Sequence, residues 1–256
     1  MIFSMGISGC SGTSESDDEI NYQDDEFISD LQKGLELRWD TAAKKELEDD
    51  AYYTDKQKEY YGECIHTELD ILEQYVNKEF KDSKLKEKAI AYVNSLKDQE
   101  EALQQIGIDN DKFDAEWQDA YDERTKLIVD FVTNYGLSVD EAHQKDLSGL
   151  MTNGQQIVKS EKEEKQIRKM VKKIQFEQVS NDFFKEYEAI VENTTDIDFS
   201  SFSLDINLFD GDGIIIESSY ASVSNFRSGS KAKFSFSTTE DFATYVIEDY
   251  DYYKDE

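Results

Sequence analysis

The apolar residues of this chain change their spacing once, near residue 174, and that change divides what it can fold into. Before it they recur every three to four positions; after it they alternate. The first spacing belongs to amphipathic helices, the second to half-buried strands. The 256 residues include no proline, the residue that breaks helix interiors, so long helices are free to form. The length favours more than one domain.

Phe27, Leu31, Leu35 and Trp39 stand four apart behind Asp24, Asp25 and Glu26, whose charges suit a helix N-terminus. A second stripe runs through Tyr61, Ile65, Leu69, Leu72, Val76 and Phe80. A third holds Leu85, Ala89, Tyr92, Val93, Leu96, Leu103 and Ile106, with Gly107 placed to end it. A fourth runs from Phe113 through Trp117, Ala120, Ile128 and Phe131 to Gly136. A fifth is expected from Ser138, with Ser138 and Glu141 as a capping box and Gly149 or Gly154 as a kink. Residues 27–173 are thus expected to form an antiparallel bundle of four to five helices.

Beyond them, "IQFEQV", "FSLDINLF", "GIIIESSYASV", "KAKFSFS" and "TYVIEDY" alternate, separated by "ENTTD", "DGDG", "RSGS" and "STTED". Short strands at this spacing predict an antiparallel sandwich over 174–256. The expected fold class is α+β in two domains.

Charge excludes some partners. With 58 acidic and 28 basic residues the chain carries a net charge of −30. It lacks the basic stripe that nucleic acid requires, and an anionic membrane surface would repel it. No stretch approaches the ~20 apolar residues of a membrane-spanning helix.

Membrane attachment is instead expected through a covalent anchor. Ile7-Ser8-Gly9-Cys10 matches a bacterial lipobox, with small residues to fit a signal peptidase and a thiol to take a diacylglyceryl group. Residues 11–26 follow with seven acids and no base, the composition of a solvated tether. Only nine residues, none basic, precede Cys10; a secretory signal needs a basic start and a longer apolar core, so the translation start is expected upstream of Met1. Residues 1–26 are read as signal remnant, lipobox and tether. A four-residue coincidence in a cytosolic protein is the alternative.

In the strand-rich part, "VENTTD" at 191–196, "INLFDGDG" at 206–213 and "ASVSNFRSGSKAKFSF" at 221–236 resemble the FxLYD type of Ig-like domain. Ile206-Asn207-Leu208-Phe209-Asp210 stands where the family has its signature strand end, with Ile for Phe and Phe for Tyr. Asn225, Phe226 and Gly229 match the turn that follows. The resemblance covers about the last third of the chain and implies an Ig-like sandwich in a secreted or lipid-anchored Gram-positive protein. It implies no activity.

Chemistry is thinly signalled. There are two histidines and two cysteines, and no zinc spacing, P-loop, nucleophile elbow or dinucleotide fingerprint. Glu63-Cys64-Ile65-His66 is a single ExxH where a di-iron bundle needs two, so His66 is expected at the surface and Cys64 inside. "DGDG" at 210–213 has the wrong spacing to Glu217 for an EF-hand and reads as a hairpin turn. Arg38 and Arg124 lie within apolar stripes; Arg124 is expected to pair with an acid inside or at the rim of the bundle, with ligand recognition as the alternative. Trp39 and Trp117 are expected as core anchors; Tyr52-Tyr53 and Tyr60-Tyr61 are expected to pack, with carbohydrate stacking as the alternative. Asn193-Thr194-Thr195 is a glycosylation sequon that reads as a turn. No catalytic, cofactor or metal residue is assigned.

These features predict a non-enzymatic binding or scaffolding protein, anchored to the outer face of a bacterial membrane through Cys10, with an envelope or host protein as partner and no nucleic acid. One rival is an extracytoplasmic small-ligand-binding protein with a pocket between the two domains. Another is a carboxylate-based hydrolase.

Overall fold

Capping side chains fix the starts of two helices in the first half. A computed structural model describes residues 21–44, 47 and 51–255. The helices are α1 (Asp24–Lys44), α2 (Asp55–Leu72), α3 (Ser83–Ala102), α4 (Asn110–Tyr135) and α5 (Gln144–Val171). Asp82 accepts the backbone N–H groups of Lys84 and Leu85 at the start of α3, and Asp109 accepts that of Lys112 at the start of α4. These bonds satisfy donors that a helix leaves orphaned. Gly136 ends α4 with φ +74°, a conformation that costs glycine little. α1 begins three residues before Phe27, and its Asp24 carboxylate accepts N–H groups of Lys81 and Asp82 at 2.8 and 2.9 Å.

Several local expectations are corrected. Ser138 and Glu141 form no capping box: α5 starts only at Gln144, after a 3₁₀ turn over Glu141–His143. The Asp140 N–H beside it is held by the Glu36 carboxylate on α1 at 2.8 Å. Neither Gly149 nor Gly154 interrupts α5. The second stripe is also shorter in helix than it looks. α2 ends at Leu72, a 3₁₀ segment covers Glu73–Asn77, and Phe80 reaches the core from the following loop.

The helices share one core. Phe27 sits at its aromatic centre, edge-on to Tyr75, Phe80 and Phe131 with ring centroids 5.3, 5.8 and 5.5 Å away. Ile65, Leu72, Tyr92, Leu96 and Ile128 are sealed around it.

The second half forms six antiparallel strands in two sheets. They are β1 (Glu177–Asn181), β2 (Lys185–Glu192), β3 (Phe199–Phe209), β4 (Ile215–Phe226), β5 (Lys231–Thr238) and β6 (Thr244–Lys254). One sheet has the order β1-β2-β5, the other β4-β3-β6. The strand β2, "KEYEAIVE", is absent from the alternating segments recognised in the sequence. Tyr187, Ala189 and Val191 of β2 turn to the core shared by the two sheets, where Phe202, Leu204, Ile206, Leu208, Phe234 and Phe236 are buried.

The chain divides into two compact units, residues 1–155 and 156–256. The division falls inside α5, although the apolar period changes only at 174. The last turns of α5 explain the difference: Ile167, Met170 and Val171 belong to the core of the strands.

Candidate functional site

The residue that departs most from ordinary burial rules is Glu68. It is fully buried in α2, in the stripe of Ile65, Leu69 and Leu72, and an uncompensated carboxylate there would be costly. Its Oε1 accepts Arg124 Nη2 from α4 at 2.6 Å and Arg38 Nη1 from α1 at 2.9 Å. Its Oε2 accepts the Tyr92 hydroxyl of α3. Arg124 is 2 % exposed, with its guanidinium carbon 5.6 Å from the Tyr92 ring centroid. Arg38 Nη2 also donates to Gln99 Oε1 at 3.3 Å. Donors from three other helices thus converge on one carboxylate.

The electrostatics suit an anchor. Burial raises the Glu68 carboxyl, but Arg124, Arg38 and the Tyr92 hydroxyl outweigh it and hold it below the ordinary range. Burial, with Glu68 beside it, drives the Tyr92 hydroxyl well upward despite Arg124. Glu68 therefore stays ionised and Tyr92 protonated. With three donors on its two oxygens and no exposed surface, Glu68 is badly placed to exchange a proton with any substrate. Arg124 Nε and Gln99 Nε2 are buried without a hydrogen-bond partner. Two buried donors of the network are thus left unmatched, a cost added to that of burying the charges.

Arg38 and Arg124 were legible as in-stripe cations; Glu68 was the residue missed. Its signal is a carboxylate inside the run Ile65-His66-Thr67-Glu68-Leu69, four positions before Leu72.

The other sequence candidates are dispersed. Cys10, with the lipobox, lies outside the described residues. Cys64 is buried, while His66 is an exposed partner of Asp70 and Glu100 at 3.2 and 3.1 Å. The hydrogen bond to Asp70, aided by Glu100, raises the His66 pKa against a smaller effect of burial. Trp39 stacks on His143 at 5.6 Å and Trp117 on Tyr61 at 4.6 Å; both tryptophans pack, partly buried, against the helical core. Tyr52 and Tyr53 are 49 % and 40 % exposed, yet the Tyr53 ring meets the core residue Phe113 edge-on at 6.2 Å and its hydroxyl donates to Asp114 at 2.7 Å.

The "DGDG" segment is a turn. Asp210 Oδ1 accepts the N–H groups of Asp212 and Ile214, each at 2.9 Å, and Gly213 has φ +80°. Asn193 is buried and its Nδ2 donates to the carbonyls of Ile197 and Phe226 at 2.8 and 2.9 Å. That joins the "VENTTD" segment to the "SNFRSG" turn, where Asn225 adopts φ +53° and Gly229 φ +73°.

An acidic groove of about 350 Å³ lies between α3 and α4, lined by Asp98, Glu101, Glu116, Asp119 and Glu123 with Ala102 and Ala120. Among the described residues no group of three or more His, Cys, Asp or Glu side chains is placed to hold a metal ion, and no helix is long and apolar enough to cross a membrane. The chain has no significant match among protein-family models, curated proteins or solved structures.

Proposed function

We propose that the chain is a non-enzymatic binding or scaffolding protein of the bacterial cell envelope, tethered to the outer face of the membrane through a diacylglyceryl group on Cys10. The observation that carries this reading is Ile7-Ser8-Gly9-Cys10 followed by a segment, 11–26, with seven acids and no base. A lipobox supplies the attachment, and an acidic segment resists collapse onto an anionic surface. The strand-rich unit is read as an Ig-like sandwich of the FxLYD type. Its six antiparallel strands in two sheets and the turn after Phe209-Asp210 support that reading.

The test is intact mass and cell fractionation of the protein expressed from its full native gene in its source organism. A diacylglyceryl adduct and membrane recovery are expected, both lost in Cys10→Ala. An unmodified chain in the cytosolic fraction would overturn the reading.

A further inference from the structure

One end of the strand-rich unit carries side chains that neither turn chemistry nor core packing requires. β1 turns into β2 through Asp182-Phe183-Phe184, and these phenylalanines are 79 % and 61 % exposed. Hairpin turns favour Asn, Asp and Gly because those residues tolerate the backbone. Two phenylalanines there put apolar area into water with no gain in geometry. Their rings meet edge to face at 5.0 Å and so present one joint surface.

Strand register brings a second apolar feature to the same end. Lys185 pairs with Thr238 at the end of β5, and Phe209 pairs with Thr244 at the start of β6. The β3–β4 turn therefore lies at the end that holds the β1–β2 turn. The Thr238 hydroxyl also donates to Glu217 near the start of β4. In this second turn Ile214 and Ile215 are 62 % and 52 % exposed. Exposed apolar residues gathered in this way mark interaction sites more often than chance scatter does.

The rim selects the partner. Asp182, Asp212, Glu240 and Asp241 are exposed in the turns of this end. Lys185, the base beside them, is engaged by Asp241 and by the Glu240 carbonyl. An anionic bilayer would be repelled by these acids. A basic polypeptide would be drawn in by them and held by the rings.

We propose that this end of the strand-rich unit is a docking face for a cationic polypeptide segment bearing apolar side chains. Phe183, Phe184, Ile214 and Ile215 supply the apolar contact, and Asp182, Asp212 and Glu240 select lysine or arginine. The proposal deepens the binding reading above and is independent of the anchor at Cys10, so fractionation and peptide binding can fail separately.

The test is fluorescence anisotropy of three labelled twelve-residue peptides, alternating Lys/Leu, Lys/Ser and Ser/Leu, against the full 256-residue chain. The variants are Phe183→Ser with Phe184→Ser, and Ile214→Ser. Tyr220→Ser, an exposed position in mid-strand, is the control; circular dichroism and melting verify that each variant folds. The Lys/Leu peptide is expected to bind best and to lose at least about tenfold in affinity to the double variant, with Tyr220→Ser unchanged. Equal affinity for wild type and double variant would overturn the proposal, because acidity alone would then account for binding. So would tip-dependent binding to phosphatidylcholine vesicles in place of the peptide.

Discussion

Arg124 donates to Glu68 Oε1 across 2.6 Å between α4 and α2, with both side chains closed off from water. Removing one partner of such a pair strands the other as a buried charge. Glu68→Gln is therefore expected to destabilise the helical unit by about 3–5 kcal/mol, measured by urea denaturation. Arg38 is 13 % exposed in its side chain, and its loss leaves Glu68 and Arg124 as a neutral pair. Arg38→Met is expected to cost only about 1–2 kcal/mol. The reverse ranking would show that Arg38 is the partner that matters.

Acid should act through the same carboxyl. Glu68 is held below its ordinary value near 4.5, with burial raising it and Arg124, Arg38 and Tyr92 together lowering it by more. A depressed folded pKa contributes stability that is present above the unfolded value and lost as pH falls through the folded one. The gap in urea midpoint between wild type and Glu68→Gln is thus expected to narrow on going from pH 7 down through the acid range. A constant gap would mean that Glu68 does not titrate with unfolding.

Two glycines of α5 should respond in opposite directions to alanine. At Gly154 an added Cβ would stand 2.4 Å from Val129 Cγ2 and 3.1 Å from the Thr125 carbonyl oxygen. The rigid branched side chain and backbone cannot both withdraw, so Gly154→Ala is expected to cost about 1–3 kcal/mol. At Gly149 an added Cβ meets nothing within 4 Å. Gly149→Ala should stabilise the protein by roughly 0.5–1 kcal/mol through helix propensity. Melting temperatures that move in the same direction for both would contradict this account of α4–α5 packing.

Asn193 gives a prediction on the strand-rich unit. Its Nδ2 donates to Ile197 and Phe226, and its Oδ1 accepts the Thr195 N–H at 3.0 Å and the Thr195 hydroxyl at 2.6 Å. Asn193→Asp keeps the acceptor but removes both donations and buries a charge. A loss of about 2–4 kcal/mol is expected.

Much of the architecture was readable from residue spacing. Four of the five helices stand on apolar stripes recognised in the sequence, because 3.6-residue periodicity survives whatever the helix packs against. β2 escaped because Glu186, Glu188, Ile190 and Glu192 alternate with Tyr187, Ala189 and Val191; acids and an exposed isoleucine on one face hide the apolar face. The Ser138 capping box did not form. The motif was present, but the chain from Glu141 to His143 forms a 3₁₀ turn and the helix starts only at Gln144. Of the buried polar cluster, two arginines were visible as cations in apolar stripes. Their counterion could not be chosen from sequence among 58 acids.

Local chemistry in the chain determined where helices and turns begin and end. Asp82, Asp109, Gly136, Asp210 and Gly213 act on backbone within five residues of themselves, so sequence alone carries that information. The tertiary structure decided which distant groups meet: Glu68 with Arg124 at a separation of 56 residues and with Arg38 at 30, and Asn193 with Phe226 at 33. It also gathered Phe183 and Ile214 at one end of the strands. These encounters depend on helix packing and strand register, which come from the summed burial of whole faces, so no single residue or motif can announce them.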